Sequence, residues 1–377
     1  MSFNNINKFI NNSKLETPFL VIDLSLVAKS YKNIKKFFPD SRIYYAVKAN
    51  PAKEILNILK NEGSYFDVSS RNEIKLCLSQ SIKASNLSFG NTVKKEKDIL
   101  WANKKGVELF AFDSIEELNK IEKNAKNSKV FCRLQVPNQG ANWPLSKKFG
   151  CSVSMAKELM LKVKKKNLFP AGLSFHVGSQ QININRWIES LKLCFEVYSY
   201  LKDNNILLDF INIGGGIPVD YADYNFDIKS FSQKLNNTIK NIFKGEPIKI
   251  ILEPGRSIVA AAGIIESEVI LVSKKNQRDK KRWVYLDIGR FGGLAETEAE
   301  AIRYKIIPVN NSSECSSVNI AGPSCDGADI LYEKYNYELP INLMAGDKVR
   351  FYVAGAYTSV YVSDFNGLQR LREYFIK

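Results

Sequence analysis

The chain has 377 residues, 45% of them hydrophobic, which is enough apolar sequence for one large core and a smaller second one, so two domains are expected. No apolar run reaches the roughly 18 residues of a membrane span, and the Asn-rich start lacks a signal peptide's apolar segment, so the sequence predicts a soluble, cytoplasmic protein with no membrane partner. The formal charge of +15 comes from lysines spread along the chain, which argues against nucleic-acid binding. Because the six cysteines include no Cys-x-x-Cys pair, neither a metal site nor a disulfide framework is expected.

After an opening helix at residues 26–37, apolar strand-like runs alternate with amphipathic helix-like runs. The eight strand-like runs are residues 42–47, 64–68, 87–90, 108–112, 130–134, 171–176, 209–213 and 248–253. The seven helix-like runs between them are residues 52–60, 71–78, 95–104, 114–124, 154–165, 185–202 and 228–243. Eight such repeats in about 230 residues predict an α/β fold, a closed TIM-like (β/α)₈ barrel with its active site at the carboxyl ends of the strands.

The pattern changes after residue 253, where short β-branched runs are separated by Gly, Asn and Asp turns. These runs are residues 263–272, 283–286, 318–320 and 349–354, and residues 18–22 are expected to join them. The sequence therefore predicts a barrel domain over residues 24–262 and an all-β domain formed by residues 1–23 and 263–377.

Lys48 stands where the first barrel strand ends and an Asn-Pro break begins. A lysine amine at the mouth of a buried strand loses hydration, its pKa falls, and the neutral amine needed for Schiff-base chemistry becomes accessible. From this segment alone, a solvated lysine at a strand end is an equal alternative.

Three further segments carry candidate chemistry. The triplet Gly214-Gly215-Gly216 follows a strand and fits either a tight turn or a loop whose amides approach an anion. Glu253-Pro254-Gly255-Arg256 closes the eighth strand with two opposite charges, which need partners if they are desolvated. His176, the only histidine, ends a strand and is either a satisfied core residue or a functional one.

Eight motifs in this order carry a family resemblance. They are Tyr45-Ala46-Val47-Lys48-Ala49-Asn50, Phe66-Asp67-Val68-Ser69-Ser70, His176-Val177-Gly178-Ser179, Gly214-Gly215-Gly216, Glu253-Pro254-Gly255-Arg256, Gly322-Pro323-Ser324-Cys325-Asp326, Gly355-Ala356-Tyr357 and Phe365-Asn366-Gly367. Together they resemble the fold-type III pyridoxal phosphate-dependent decarboxylases, the ornithine/arginine/diaminopimelate decarboxylase family. The resemblance covers nearly the whole chain and implies an alanine racemase-like barrel, a C-terminal β domain and pyridoxal 5'-phosphate (PLP) as cofactor.

The resemblance also implies roles for single residues. Lys48 would bind the cofactor through its amine, Glu253 would face the pyridine nitrogen with an attraction of about 4 kcal/mol, and His176 would stack on the ring. The other implied cofactor contacts are Asp67, Arg133, Ser179, Gly214, Gly215, Gly216, Gly255, Arg256 and Tyr357. Cys325 would complete the catalytic set by reprotonating the α-carbon, although packing in the β domain is an alternative for it.

The implied substrate is a basic L-amino acid. Asp326 would bind its distal ammonium, since this family's basic amino-acid decarboxylases carry Cys-Asp here, and Phe365 would press against its carboxylate. Relatives usually have Asp where Ala299 stands, so Glu296, Glu298 or Glu300 is expected to supply the second acid. These features favour ornithine, converted to putrescine for polyamine biosynthesis, over lysine and arginine.

The family works as a head-to-tail homodimer with shared active sites, so the same assembly is expected here, with Lys148 and Asp329 at positions where relatives pair between subunits. Three other readings are weaker. An alanine-racemase-type enzyme would place an Arg opposite the pyridine nitrogen instead of Glu253, and a barrel-only carrier would lack the second domain. A catalytically inactive regulatory homologue would lose cofactor residues such as Lys48 and Arg256, which are retained.

Overall fold

The computed structural model describes residues 3–143, 148–222, 225–309 and 314–377. The chain divides into two compact units. The β unit comprises Met1–Val27, Val219–Asn225 and Arg256–Lys377, and the barrel unit comprises Ala28–Pro218 and Phe226–Gly255. Within the described ranges, no helix has both the length and the apolar character needed to cross a membrane.

The barrel unit contains a closed barrel of eight parallel strands, as predicted. In chain order, the first to eighth barrel strands are Ser41–Ala46, Tyr65–Val68, Leu87–Phe89, Leu109–Phe112, Lys129–Arg133, Phe169–Ser174, Phe210–Asn212 and Lys249–Leu252. The eighth strand pairs with the first and closes the ring. All eight predicted strands are confirmed, with ends shifted by one or two residues in most cases.

One helix precedes the first barrel strand and seven connect the barrel strands, at the predicted positions. They are Leu24–Phe37, Lys53–Asn61, Arg71–Ser79, Glu96–Lys104, Ile115–Asn124, Val153–Lys164, Asn185–Asp203 and Ile228–Ile242. Serine side chains cap three of them, because Ser70, Ser114 and Ser152 each accept a hydrogen bond from a first-turn amide. An unpredicted antiparallel pair, Ala141–Trp143 with Ser179–Gln181, lies beside these repeats.

The inside of the barrel is packed, not open. One layer of its core consists of Tyr44, Ala111, Phe131, Ala171, Phe210 and Ile251, where four large side chains pack with two alanines. Since side chains repeat every two residues along a strand, the residue two positions later faces the same interior, one layer nearer the carboxyl ends. This rule places Arg133, Asn212 and Glu253 directly above the core layer.

The β unit is built on an eight-stranded sheet. Its strands are Phe19–Asp23, Gly263–Ser273, Arg282–Leu286, Lys305–Pro308, Cys315–Ala321, Ile330–Pro340, Lys348–Tyr352 and Arg372–Ile376. Phe19–Asp23 pairs antiparallel with Gly263–Ser273 and parallel with Arg372–Ile376, so the two ends of the chain meet in one sheet. A short helix, Asn4–Asn12, buries Ile6 and Ile10 in this unit.

Candidate functional site

Lys48 lies in a single 3₁₀ turn, Val47–Ala49, directly after the first barrel strand. Its side chain is exposed, while Val47 and Ala49 are buried and anchor the turn. The segment after the eighth strand lies against this turn: Ala46 N donates to Pro254 O at 3.1 Å. At Gly255 a Cβ would lie only 2.8 Å from Ala49 Cβ, so glycine is needed for this approach. The lysine turn and the Glu253 segment are therefore neighbours at the carboxyl end of the barrel.

Glu253 is held by Asn212, a residue that the sequence analysis missed. Asn212 Nδ2 donates to Glu253 Oε1 at 2.5 Å, and Asn212 Oδ1 accepts from Gly214 N at 2.9 Å. Asn212 is only 2% exposed, so these two bonds satisfy a buried amide and fix the carboxylate. The signal in the sequence is a polar residue at an inward position of the seventh strand, immediately before the glycine triplet.

Asp67 is a buried carboxylate that lies within the electrostatic influence of the half-buried Glu253. Burial raises the pKa of Asp67 well above its usual value, and the negative charge of Glu253 raises it further. Its Oδ1 is buried without a hydrogen-bond partner among the described residues. Gly90 makes room for this carboxylate, since a Cβ there would lie 2.0 Å from Oδ1. The mutual repulsion of the two carboxylates favours a cation at this place, because a positive charge relieves it.

His176 is neutral in this site. Its Nδ1 accepts a hydrogen bond from Gly178 N at 3.0 Å, so that nitrogen carries no proton. Burial lowers the pKa of His176 well below its usual value, and the charges of Arg133 and Lys48 lower it further. An uncharged imidazole offers a flat face for stacking and adds no charge to the site.

The glycine triplet lies against these residues. Gly214 and Gly216 have positive φ angles of 68° and 91°. A Cβ at Gly215 would lie 2.5 Å from Glu253 O and 3.4 Å from His176 Nε2, and one at Gly216 would lie 2.3 Å from Gly178 O. The triplet is thus a tight turn whose bare backbone approaches His176 and Glu253, as one of the two expectations drawn from the sequence predicted.

Arg133 completes the barrel cluster. It contributes to the electrostatic environment of Asp67 and His176, and its guanidinium lies 4.8 Å from the ring centre of Phe149. Ser179 begins the short strand Ser179–Gln181 that follows the His176 segment. The barrel unit therefore gathers an accessible lysine, a paired acid site, a neutral flat side chain and a glycine turn. This set fits a flat cationic heteroaromatic ring that bears an anion.

In the β unit, Arg256 is buried and paired. Its Nη1 and Nη2 donate to the two oxygens of Glu296 at 2.8 and 2.7 Å, and Nη1 also donates to Tyr221 Oη at 2.9 Å. The ring centre of Tyr357 lies 4.7 Å from the guanidinium. Burial alone would lower the pKa of Arg256, but the Glu296 carboxylate more than offsets this, so the pKa lies well above its usual value. Both Glu296 oxygens are engaged, which argues against the expected contact between Glu296 and a substrate ammonium.

The other two acids near Ala299 differ in exposure. Glu298 is 62% exposed and pairs with Arg290 at 2.8 Å. The Glu300 carboxylate accepts hydrogen bonds from the amides of residues 333–335 at 2.7 to 2.8 Å, and these bonds lower its pKa although burial opposes them. Glu298 is therefore the one of the three with a carboxylate presented to solvent.

Cys325 and Asp326 lie exposed on a loop that the β unit holds firmly. Asp329, which is buried, accepts from Ser324 N at 3.0 Å and from Arg290 N at 2.7 Å. Cys325 N donates to Asn366 Oδ1 at 2.9 Å, which ties the loop to the Phe365 turn. The Phe365 ring is 41% exposed. A thiol, a carboxylate and an aromatic ring are thus presented together.

Comparison with known proteins matches both units. The family "Pyridoxal-dependent decarboxylase, pyridoxal binding domain" matches residues 24–260. A lysine/ornithine decarboxylase of Selenomonas ruminantium is 31% identical over 355 residues, covering 94% of this chain and 88% of the relative.

Two solved structures are similar over their whole length. The arginine decarboxylase of Paramecium bursaria Chlorella virus, bound to agmatine, has a TM-score of 0.90 and 27% identity, covering 98% of this chain and 100% of that one. The lysine/ornithine decarboxylase of Vibrio vulnificus, complexed with cadaverine, has a TM-score of 0.89 and 29% identity, covering 100% of this chain and 98% of that one.

Proposed function

Since the chain belongs to the pyridoxal-dependent decarboxylases and is a decarboxylase of basic amino acids with PLP as its cofactor, we propose that its preferred substrate is L-ornithine and its product putrescine. Lysine and arginine are the competing substrates, because relatives acting on each are about equally similar. The observation that carries the proposal is the exposed Asp326 beside Cys325, on the loop that Asp329 fixes.

Bound PLP supplies a ring that accepts the electron pair left on the α-carbon when carbon dioxide leaves. Lys48 would hold the cofactor through Nζ, and Glu253, oriented by Asn212, would keep the proton on the pyridine nitrogen. His176 would pack against the ring as a neutral side chain. The amides of the glycine turn would be available to its phosphate. Two features of the barrel cluster support these roles and a place for Asp67 in the same site: Asp67 Oδ1 has no hydrogen-bond partner among the described residues, and the glycine turn presents bare backbone.

The substrate end of the site belongs to the β unit in this proposal. Asp326 binds the distal ammonium, and Glu298, the exposed acid near Ala299, is the second carboxylate. Phe365 desolvates the substrate carboxylate, which favours loss of carbon dioxide. The Cys325 thiol donates a proton to the α-carbon after carbon dioxide leaves.

A substrate panel tests this assignment. Purified, PLP-loaded protein should show its highest kcat/KM with L-ornithine, a lower value with L-lysine and a lower one still with L-arginine. Asp326→Ala should reduce kcat/KM for all three by at least about a hundredfold, because a desolvated ammonium loses its charge partner. Turnover of meso-diaminopimelate, with none of a basic amino acid, would contradict the proposal.

We also propose that the active protein is a homodimer in which the 322–329 loop of one subunit faces the barrel of the other. Lys48→Ala and Cys325→Ala subunits would then each be inactive alone and complement each other when mixed. Random exchange makes half the dimers mixed, each with one intact site, so activity should approach roughly a quarter of the wild-type value. No recovery after demonstrated subunit exchange would show that the sites are not shared.

A further inference from the structure

Lys94 is a fully buried lysine outside the cluster described above. Its side chain is 0% exposed, and its ammonium lies 2.7 Å from Asn91 O, 2.6 Å from Ala111 O and 2.9 Å from Glu117 Oε1. A lysine ammonium has three N–H donors, and here three oxygen acceptors surround it: two carbonyls accept hydrogen bonds, and the Glu117 carboxylate forms an ion pair. Burial lowers the pKa of Lys94 to about 8, although the Glu117 carboxylate opposes this shift, so the contacts offset only part of the cost of burying the charge.

The three acceptors come from three different elements. Asn91 follows the third barrel strand, Ala111 lies in the fourth, and Glu117 lies in the helix Ile115–Asn124. The other Glu117 oxygen pairs with Lys120, which also donates to Lys94 O. Lys94 therefore joins two neighbouring strand ends to one helix at the carboxyl end of the barrel.

Lys94 makes these contacts where the short third strand stops pairing with the fourth. Pairing between the third and fourth strands ends at Phe89 and Phe110, so Ala111 O lies one residue beyond the last pair. At Gly90 the chain turns toward the second strand, where Gly90 N donates to Val68 O at 3.1 Å. The Lys94 ammonium donates a hydrogen bond to the Ala111 carbonyl, at the point where the third strand no longer pairs with the fourth.

The same departure makes room for Asp67. The Gly90 backbone passes so close to the Asp67 carboxylate that a Cβ would lie 2.0 Å from Oδ1. Asn91 Nδ2 donates to Ser69 O at 3.2 Å, which ties the turn to the end of the Asp67 strand. Lys94 binds the carbonyl of Asn91, and the neighbouring Gly90 backbone lies against the Asp67 carboxylate.

We propose that Lys94 is a positioning residue for the cofactor site: its ammonium clamps the Gly90-Asn91 turn so that Asp67 stays beside Glu253 and Lys48. The inference rests on the place proposed for Asp67 in the PLP site. It goes beyond that site, because Lys94 acts through the backbone of the third strand and touches neither substrate nor cofactor.

A double-mutant cycle on PLP affinity tests the proposal. Lys94→Met, which keeps the length of the side chain, should raise the Kd for PLP at least about tenfold in the wild-type background. In the Asp67→Ala background the same substitution should change the Kd by less than about twofold, because the carboxylate that Lys94 positions is absent. An equal loss in both backgrounds would overturn the proposal, since a general loss of barrel stability acts regardless of Asp67.

Two further variants complete the design. Lys123→Met removes an exposed lysine from Ile115–Asn124, the helix that carries Glu117. This control should leave PLP affinity unchanged in both the wild-type and the Asp67→Ala backgrounds. If Lys94→Met does not fold, Glu117→Gln takes its place, since it weakens the ion pair of Lys94 without removing the ammonium. A loss of PLP affinity confined to the wild-type background would again support the proposal, and an equal loss in both backgrounds would overturn it. Because PLP binding is measured and not turnover, the result stands even if the protein fails to act on ornithine.

Discussion

Glu296 and Glu298 stand two residues apart and allow a matched test of buried and exposed acids. Glu296→Gln places an amide donor opposite the guanidinium of Arg256, so one N–H of Arg256 faces another donor and the buried charge loses its partner. Glu298→Gln makes the same chemical change at a side chain that is 62% exposed. Any difference between the variants therefore reports the environment of the acid.

The expected magnitudes differ several-fold. Breaking a buried ion pair by removing one partner costs about 3–5 kcal/mol of folding free energy. For a unit of this size, that lowers Tm by roughly 10 °C. The exposed pair between Arg290 and Glu298 is screened by solvent and contributes about 0–1 kcal/mol, so Glu298→Gln should shift Tm by about 4 °C at most.

The assay combines thermal unfolding of the PLP-loaded variants with kcat/KM for L-ornithine. Glu296→Gln should lose stability in both the PLP-loaded and PLP-free protein. Glu298→Gln should keep its stability and lose at least about tenfold in kcat/KM, because it is proposed to bind the distal ammonium. If Glu296→Gln is as stable as the wild type and loses only substrate affinity, the assignment of the two acids is reversed.

Three further predictions concern the barrel cluster. Lys48→Ala should yield no covalently attached PLP after borohydride reduction, and a reduced adduct on another lysine would refute its role. Burial lowers the pKa of His176 below that of the unfolded chain, so below about pH 6.5 the unfolded state takes up the proton first. As the pH is lowered from about 6.5 to the pKa of His176 in the folded protein, the free energy of unfolding should therefore decrease. The His176→Asn variant should not show this part of the decrease. In NMR, the chain's only histidine should keep neutral shifts at pH 6, and imidazolium shifts there would contradict the burial argument. Asn212→Ala should lower PLP affinity by about tenfold, because Glu253 loses its orienting bond, whereas an unchanged Kd would show that Glu253 needs no support.

The barrel was predictable because its strands are buried on both faces and read as continuous apolar runs. The break after each run also marked the carboxyl end, where Lys48 and Glu253 lie. Strand Ile330–Pro340 was missed, since its exposed face carries Glu and Lys and its apolar alternation is irregular. The helix Asn4–Asn12 was missed because its many asparagines are unusual in helices and only two isoleucines mark its buried face. Two of these asparagines, Asn7 and Asn11, accept hydrogen bonds from Arg350.

The side-chain pairings could not be read from the sequence. Arg256 and Glu296 are 40 residues apart, and the motif around Arg256 gave no indication that a buried acid would pair with it. Asn212 could have been found, since a polar residue at an inward strand position needs a partner, but the sequence does not name Glu253 as that partner. Such pairings depend on strand order and register, which are set only when the barrel closes.

Product analysis with L-ornithine tests the central claim most directly. PLP-loaded protein should release carbon dioxide and putrescine in equal amounts, and the Lys48→Ala variant prepared in parallel should release neither. Release of carbon dioxide without a diamine product, or equal release by Lys48→Ala, would contradict the claim that this barrel decarboxylates a basic amino acid at Lys48.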